Sequence, residues 1–180
     1  MHQKITIISS FYNEEKNIQI FKEEINWAIK FLKKYQIDVV EIILIDNNSS
    51  DNTYEIAKKY HELHPEKINI YRNKNRIGLQ RSANYVLKKA KGQYIIRLDG
   101  DDWFTESALL VLTQRALKDD SPSIVFGSYL YVDNNENFLG VEIIDYENYK
   151  EKFSLVAPHG ACTLFKVRSL VAAGGYSNEI

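Results

Sequence analysis

Short runs of β-branched and aromatic residues that stop abruptly at polar segments constrain the fold of this chain more than any other feature. Three such runs are Ile5–Ile8, Ile42–Ile45 and Tyr94–Ile96, and segments with apolar residues at helical spacing lie between them. Strands that alternate with helices predict a mostly parallel sheet covered on both faces. Such sheets bind ligands at the carboxyl ends of their strands, where the polar segments lie. We therefore expect an α/β sandwich with its site at that edge.

The intervening helices supply the predicted core. Asn13 and Thr105 are placed to cap the first and fourth helices. The apolar positions expected to face the sheet are Ile18, Phe21, Ile25, Ala28 or Ile29, and Leu32 in the first helix, Ile56, Tyr60 and Leu63 in the second, Leu79, Ala83, Val86 or Leu87, and Ala90 in the third, and Leu109, Leu112 and Leu117 in the fourth. Residues 123–131 are predicted to form one strand, and 133–152 a hairpin and loop.

Three carboxylates follow the Tyr94–Leu98 run, at Asp99, Asp101 and Asp102. Gly100 lets the backbone turn so that Asp99 and Asp101 converge, and their charges repel unless a cation lies between them. Carboxylate oxygens suit Mg²⁺ or Mn²⁺, which commonly bridge a protein to the phosphates of a nucleotide. The alternative is that these acids are solvated residues of a turn and a helix start.

Composition narrows the possible functions. The 180 residues are 44% hydrophobic, which suits one globular domain, and 23 basic against 24 acidic residues give no positive field for nucleic acid. An 18-residue apolar run and a signal-peptide pattern are both absent, so we expect a cytoplasmic protein without a transmembrane segment. Peripheral association with the inner face of the membrane is compatible with this expectation. The single cysteine rules out an internal disulfide.

Five motifs, taken in order, resemble those of the family 2 glycosyltransferases, which have the GT-A fold and use nucleotide-sugar donors. They are Ile5–Glu15, Ile45–Thr53, Asn75–Leu79 with the downstream Asn84, Lys91–Asp102 with its Asp-x-Asp motif, and Gly160–Phe165 followed by Ala173–Tyr176. The resemblance covers residues 1–180 as a single domain and implies a Rossmann-like α/β/α sandwich.

The resemblance also implies the site residues. Nucleotide-binding positions would be Ser10, Phe11, Tyr12, Asn13, Asp46, Asn47, Ser49 and Asp99, and Asp101 with Asp99 would bind a divalent cation, Mn²⁺ or Mg²⁺. Arg76 is a candidate for a phosphate contact because guanidinium grips phosphate oxygens in a fork. Asn47 stands where many members have an aspartate that pairs with uracil, so uridine, thymidine and guanosine donors all stay open.

The implied reaction is an inverting transfer of a sugar from a nucleotide-diphosphate donor to a saccharide or lipid-linked acceptor, in surface polysaccharide or glycan synthesis. Family members usually place the catalytic base in an acidic pair beyond the Gly-Gly-(Tyr/Phe) element, and this chain ends at Ile180 without that pair. We therefore expect a domain that lacks its C-terminal part. Asp102, His159 and Glu179 are the remaining candidates for proton transfer.

Three other classes compete with this interpretation. A truncated domain that binds nucleotide sugar with little turnover is the first. A nucleotidyltransferase would carry a glycine-rich, basic phosphate loop near its start, whereas residues 11–15 are aromatic and acidic. An aspartyl phosphatase of the haloacid dehalogenase type would carry its Asp-x-Asp motif near the start of the chain, whereas Asp99 lies far into this sequence.

Overall fold

Strands and helices alternate along a computed structural model that describes residues 3–105, 107–118, 121–133, 135, 137–144 and 162–177. The strands are β1 (Gln3–Phe11), β2 (Ile37–Asp46), β3 (Ile68–Arg72), β4 (Tyr94–Arg97), β5 (Ile124–Val125), β6 (Tyr129–Val132), β7 (Phe138–Glu142) and β8 (Leu164–Lys166). The helices are α1 (Asn17–Lys33), α2 (Thr53–Leu63), α3 (Leu79–Leu87), α4 (Ala108–Ala116) and α5 (Val167–Ala172).

Six strands form the main sheet, in the order β3-β2-β1-β4-β8-β5. The pairs β1–β2, β2–β3 and β1–β4 are parallel, whereas β8 runs antiparallel to β4 and β5. The predicted mostly parallel sheet is confirmed. Because the chain moves outward through β2 and β3 and then returns to the other side of β1, strand order reverses between β1 and β4. A crevice at the carboxyl ends of strands is expected at such a reversal.

Helices cover both faces of this sheet. The larger core cluster joins α1, α2 and α4 to one face, and the smaller joins α3 and α5 to the other. All the core positions predicted for α1 are buried or packed against the core. In α2 the prediction for Leu63 is wrong, because its side chain is 63% exposed and Ala57 takes the core position.

The predicted caps of α1 and α4 are also wrong. Asn13 lies in the left-handed region at φ 58°, and α1 begins only at Asn17. Its side chain accepts a hydrogen bond from the backbone of Ser50 in the loop after β2, so a contact distant in sequence replaces the local cap. In α4 the N-cap position is Ser107, and the Thr105 carbonyl accepts the N–H of Ala108 in the preceding turn.

The segment predicted as one strand over residues 123–131 is divided. Residues 124–125 join the main sheet as β5, whereas β6 leaves it and pairs with β7 in an antiparallel hairpin. A hairpin is present, but it begins before the predicted start, because β6 lies at residues 129–132 and only β7 falls within residues 133–152. Residues 145–152 of that prediction lie outside the described ranges. The β6 strand of this hairpin and the turn after β4 line opposite sides of one cavity, which is described below.

Candidate functional site

The loops that follow β1 and β2 are joined by hydrogen bonds into one polar surface. The Asn13 N–H donates to Ser49 Oγ (3.0 Å), and the Ser50 N–H donates back to Asn13 Oδ1 (2.9 Å). The Glu14 N–H donates to Thr53 Oγ1 (2.8 Å). Two predicted site positions from distant motifs, Asn13 and Ser49, are thereby held in a fixed relation.

A second reciprocal pair strengthens this junction. The Glu15 N–H donates to Asp51 Oδ2 (3.2 Å), and the Asn52 N–H donates to Glu15 Oε2 (3.0 Å). Burial tends to raise the pKa of Asp51, but hydrogen bonds from Thr53 and from the Glu15 backbone outweigh it and lower that pKa. The ionised carboxylate therefore stabilises the junction.

Asp46 lies at the end of β2 with its carboxylate buried. The carboxylate accepts the Ser49 N–H (3.2 Å) and lies 3.0 Å from Arg72 Nε. Arg72 also donates from Nη2 to the Ser49 carbonyl (3.0 Å), and its guanidinium lies over the Tyr54 ring at 4.4 Å. Asp46 is therefore held in one orientation by a cation that the sequence motifs did not indicate.

Asn47 organises the loop between β3 and α3. Its Oδ1 accepts hydrogen bonds from Asn73 Nδ2 (3.1 Å) and from the Ile77 N–H (3.0 Å). Next to this loop, the Arg76 guanidinium lies 4.0 Å from the centroid of the exposed Tyr12 ring. Such cation–π contacts bring a positive charge to the rim of the polar surface.

The end of β4 carries a buried ion pair. Arg97 Nη2 donates to Asp99 Oδ2 (3.1 Å), and Arg97 Nε lies 2.8 Å from Asp99 Oδ1. The Nε–H does not point at that oxygen, so this second contact is an attraction between charges rather than a hydrogen bond. The Arg97 side chain is only 9% exposed and that of Asp99 19%. Both oxygens of Asp99 thus face a cation that belongs to the protein.

Asp101 lies exposed in the turn that Gly100 opens. A Cβ at Gly100 would lie 2.7 Å from the Phe11 ring and 3.2 Å from Glu14 Cγ, so the turn needs glycine to approach β1 this closely. Burial is the main cause that raises the pKa of Glu14; Asn17 opposes it through a hydrogen bond, and the nearby charge of Asp101 raises it further. Two carboxylates that repel each other here would favour a cation.

Within the described ranges, no group of three or more histidine, cysteine, aspartate or glutamate side chains is arranged to bind a metal ion. A cage made by the protein alone is therefore not present among those residues. Mg²⁺ and Mn²⁺ usually take one or two carboxylates and complete their coordination with phosphates and water, so the exposed Asp101 fits that pattern.

Two further motifs meet behind this site. Asn84 Nδ2 donates to the Tyr176 carbonyl, and the Tyr176 N–H donates to Asn84 Oδ1, both at 2.8 Å. Gly175 has φ +91°, and a Cβ there would clash with Asn84 Oδ1. Burial raises the pKa of the Tyr176 phenol to about 12, with Arg97 opposing and Asp99 adding to this effect. The downstream asparagine and the Gly-Gly-Tyr segment therefore form one structural unit.

A cavity of about 280 Å³ opens beside Asp101, between the turn after β4 and the β6–β7 hairpin. Asp102 and Trp103 lie in its wall. Asp102 is thus the predicted proton-transfer candidate that the structure places at an opening. His159 and Glu179 lie outside the described residues.

The predicted positions are therefore brought together around the reversal of strand order, although the Phe11 side chain is buried in the core against Phe21. Sequence reasoning missed Arg72, Arg97 and the closeness of Glu14 to Asp101. Arg97 carried a signal, since a charged residue next to a buried apolar run rarely lies there without a partner. In the part of the chain that the structure describes, no helix is long and apolar enough to cross a bilayer.

Comparison with known proteins gives several matches. The family model described as "Glycosyl transferase family 2" matches residues 6–170. A cholesterol galactosyltransferase of Borreliella burgdorferi is 35% identical over 129 residues, which are 71% of this chain and 33% of that protein. The glycosyltransferase GlyG of Streptococcus pneumoniae is 27% identical over 138 residues, 77% of this chain and 43% of that one.

Solved structures share the fold. The mannosyltransferase PcManGT from Pyrobaculum calidifontis, in complex with GDP-Man and Mn²⁺, superposes with a TM-score of 0.70 at 20% identity over 100% of this chain and 49% of its own. TarS residues 1–349 of S. aureus, in complex with UDP-GlcNAc, gives 0.67 at 18% identity over 96% of this chain and 48% of its own. The chain spans half or less of the length of these proteins. It has the GT-A α/β fold and belongs to glycosyl transferase family 2.

Proposed function

We propose that this protein is an inverting glycosyltransferase that moves a sugar from a nucleotide-diphosphate donor to a hydroxyl acceptor in the synthesis of a surface glycan. The observation that carries the proposal is the convergence of polar residues from the ends of β1, β2 and β4 at the reversal of strand order. Because fold likeness alone does not decide function, the residues of this site carry the proposal.

The nucleoside would bind to the surface formed by residues 10–13 and 46–49. Asp46 and Ser49 are fixed there by Arg72 and by the backbone of their own loop. Because the Phe11 side chain is in the core, Phe11 would contribute only its backbone. Arg76, held over Tyr12, is placed to attract the diphosphate.

We assign the divalent cation to Asp101, with Asp99 nearer the ribose because its two oxygens face Arg97. When bound, the cation would neutralise charge that builds on the departing diphosphate. Glu14 lies close enough to add to the negative field at Asp101. This assignment leaves the donor base open, since the solved structures hold GDP-Man in one case and UDP-GlcNAc in the other.

The protein's own task in the reaction is to remove a proton. An acceptor hydroxyl would attack the anomeric carbon from the face opposite the diphosphate, and a carboxylate would accept its proton. Asp102 borders the cavity and is the candidate among the described residues. His159 and Glu179 stay candidates from the sequence alone. A lipid-linked acceptor would explain a location at the inner face of the membrane, which is a further part of this proposal.

The second candidate is a domain that binds the donor with little turnover. The two candidates differ in the release of nucleoside diphosphate from the donor: the transferase should release it in repeated turnovers, whereas the binding domain should release little.

Calorimetric titration of UDP, dTDP and GDP, each with and without Mn²⁺, tests the donor site. We expect metal-dependent binding of one nucleotide by the unaltered protein and its loss in Asp101→Ala. The matched control is Glu62→Ala, which removes an exposed carboxylate on α2. If no nucleotide binds, or if Glu62→Ala weakens binding as much as Asp101→Ala, the proposed site is wrong.

A further inference from the structure

The cavity beside Asp101 differs in chemistry from the donor surface. Among the described residues, its walls combine aliphatic side chains from the turn after β4, from α4 and from β6 with three aromatic rings, Trp103, Tyr129 and Tyr131. Asp101 and Asp102 supply its charged groups. A largely apolar wall with a few polar groups on one side is typical of pockets that bind small molecules, and about 280 Å³ is close to the lower end of their range.

Charge argues against a second phosphate-bearing ligand here. Of the described residues, those that line the cavity include two carboxylates and neither lysine nor arginine. With Asp101 assigned to the cation, Asp102 keeps a negative charge that would repel a phosphate, and the basic residues of the site, Arg72, Arg76 and Arg97, belong to the donor side. Leu98, in the cavity wall, packs into the core cluster of the α1 and α4 face. The cavity therefore suits a neutral compound that lies next to the cation site.

We infer that this cavity receives the acceptor, and that the acceptor is uncharged and carries its reacting hydroxyl on an apolar body. The inference depends on the proposed glycosyl transfer. In the reaction the hydroxyl oxygen would form a bond to the anomeric carbon, and the bond from that carbon to the diphosphate would break. The hydroxyl proton would pass to a carboxylate at the cavity edge, and the nucleoside diphosphate would leave with the bonding electrons.

Aromatic and aliphatic walls explain the apolar requirement. Flat rings such as Trp103 and Tyr131 pack against the apolar face of a ring or chain, while Leu130 and Val132 gain only from burying hydrocarbon. Leu130 is 55% exposed, so a ligand in the cavity would cover apolar surface that now faces solvent. A glycoside with a long alkyl chain should therefore bind more tightly than the methyl glycoside of the same sugar.

Tryptophan fluorescence offers a direct test, because the chain has two tryptophans and only Trp103 lines the cavity. Trp27→Phe leaves Trp103 as the reporter and keeps a ring stacked on Phe31. This variant is titrated with octyl β-glucoside below its micelle concentration, with methyl β-glucoside and with glucose 6-phosphate, each with Mn²⁺ and the nucleotide found by calorimetry. We expect octyl glucoside to cause a blue shift of the Trp103 emission at concentrations at least about tenfold lower than methyl glucoside needs. Glucose 6-phosphate should cause no shift.

Two hairpin variants separate the cavity from general detergent binding. Leu130→Ser removes a cavity wall, whereas Leu139→Ser removes a leucine that is 66% exposed on the neighbouring strand and outside the lining. We expect only Leu130→Ser to weaken the octyl glucoside response. Equal responses to octyl and methyl glucoside, a response to the phosphate, or equal effects of the two variants would overturn the inference. Nucleotide binding without an octyl glucoside response would refute the acceptor class alone, whereas absence of metal-dependent nucleotide binding would refute the proposed function.

Discussion

Replacing Arg97 with methionine should test whether a buried cation holds Asp99 in place. Arg97 Nη2 donates to Asp99 Oδ2, and Nε lies 2.8 Å from Oδ1. Methionine keeps an unbranched apolar stem of similar reach and removes only the charge and the donors. The change therefore leaves the Asp99 carboxylate largely buried without its partner.

The magnitude follows from burial. Removing one partner of a fully buried ion pair typically costs about 3–5 kcal/mol, because the other charge stays uncompensated. Asp99 is 19% exposed, so water can solvate part of its carboxylate. We therefore expect a loss of about 2–3 kcal/mol in the free energy of unfolding, which corresponds to roughly 4–12 °C in Tm for a domain of this size. Arg97→Lys keeps the charge but loses the fork, and should cost less.

Urea unfolding of Arg97→Met, Asp99→Asn and the double variant measures the coupling between the two residues. We expect a coupling energy of roughly 1–3 kcal/mol, because the double variant has no unpaired charge. Arg168→Met on α5 is the control, since Arg168 is exposed, and should change stability by less than about 0.5 kcal/mol. Effects of the two single variants that add within about 0.5 kcal/mol would refute the proposed pairing.

Three further predictions concern the surroundings of the site. Glu41 is buried and accepts a hydrogen bond from the Thr6 hydroxyl (2.8 Å), so Glu41→Ala should lower the free energy of unfolding by about 2–3 kcal/mol in urea titrations, and an effect below about 0.5 kcal/mol would contradict this. A Cβ at Gly92 would lie 2.5 Å from the Thr6 backbone nitrogen, so Gly92→Ala should cost at least about 1–3 kcal/mol, and an unchanged Tm would show that this close approach is wrong. Burial and Asp101 raise the pKa of Glu14 above its ordinary 4.5, so its contribution to stability is present at lower pH and is lost as pH rises through the raised pKa. Glu14→Gln should accordingly raise Tm at pH 7 more than at pH 4, and a larger gain at pH 4 would contradict the sign.

Much of the site could be predicted because each buried strand ends where an apolar run meets polar residues. The apolar runs before Asp46 and Asp99 are local patterns, and parallel strands bring their carboxyl ends to one edge whatever the loop details. The hydrogen-bond partners could not be predicted in this way. The residues next to Asn13 in sequence predict a helix cap there, yet its carboxamide oxygen accepts the Ser50 N–H, 37 residues away.

The position of the β6–β7 hairpin shows the same limit. Residues 123–131 have the composition of one strand, but only residues 124–125 pair with β8, and β6 pairs with β7 instead. The composition of a strand indicates that the segment can be half buried, but it does not indicate which other strand it pairs with. The cavity between β6 and the turn after β4 exists because of that separation, so no pattern in the sequence could have placed it.

Local patterns in the sequence were enough to predict β1, β2 and β4, the core positions of α1 and the polar strand ends, because burial and periodicity act on neighbouring residues. Tertiary structure alone decided that Arg97 pairs with Asp99, that Arg72 pairs with Asp46, and that Asn84 binds the backbone of Tyr176, 92 residues away. The physical reason is that a buried charge or amide must find a partner once water is excluded, and packing determines which partner is near.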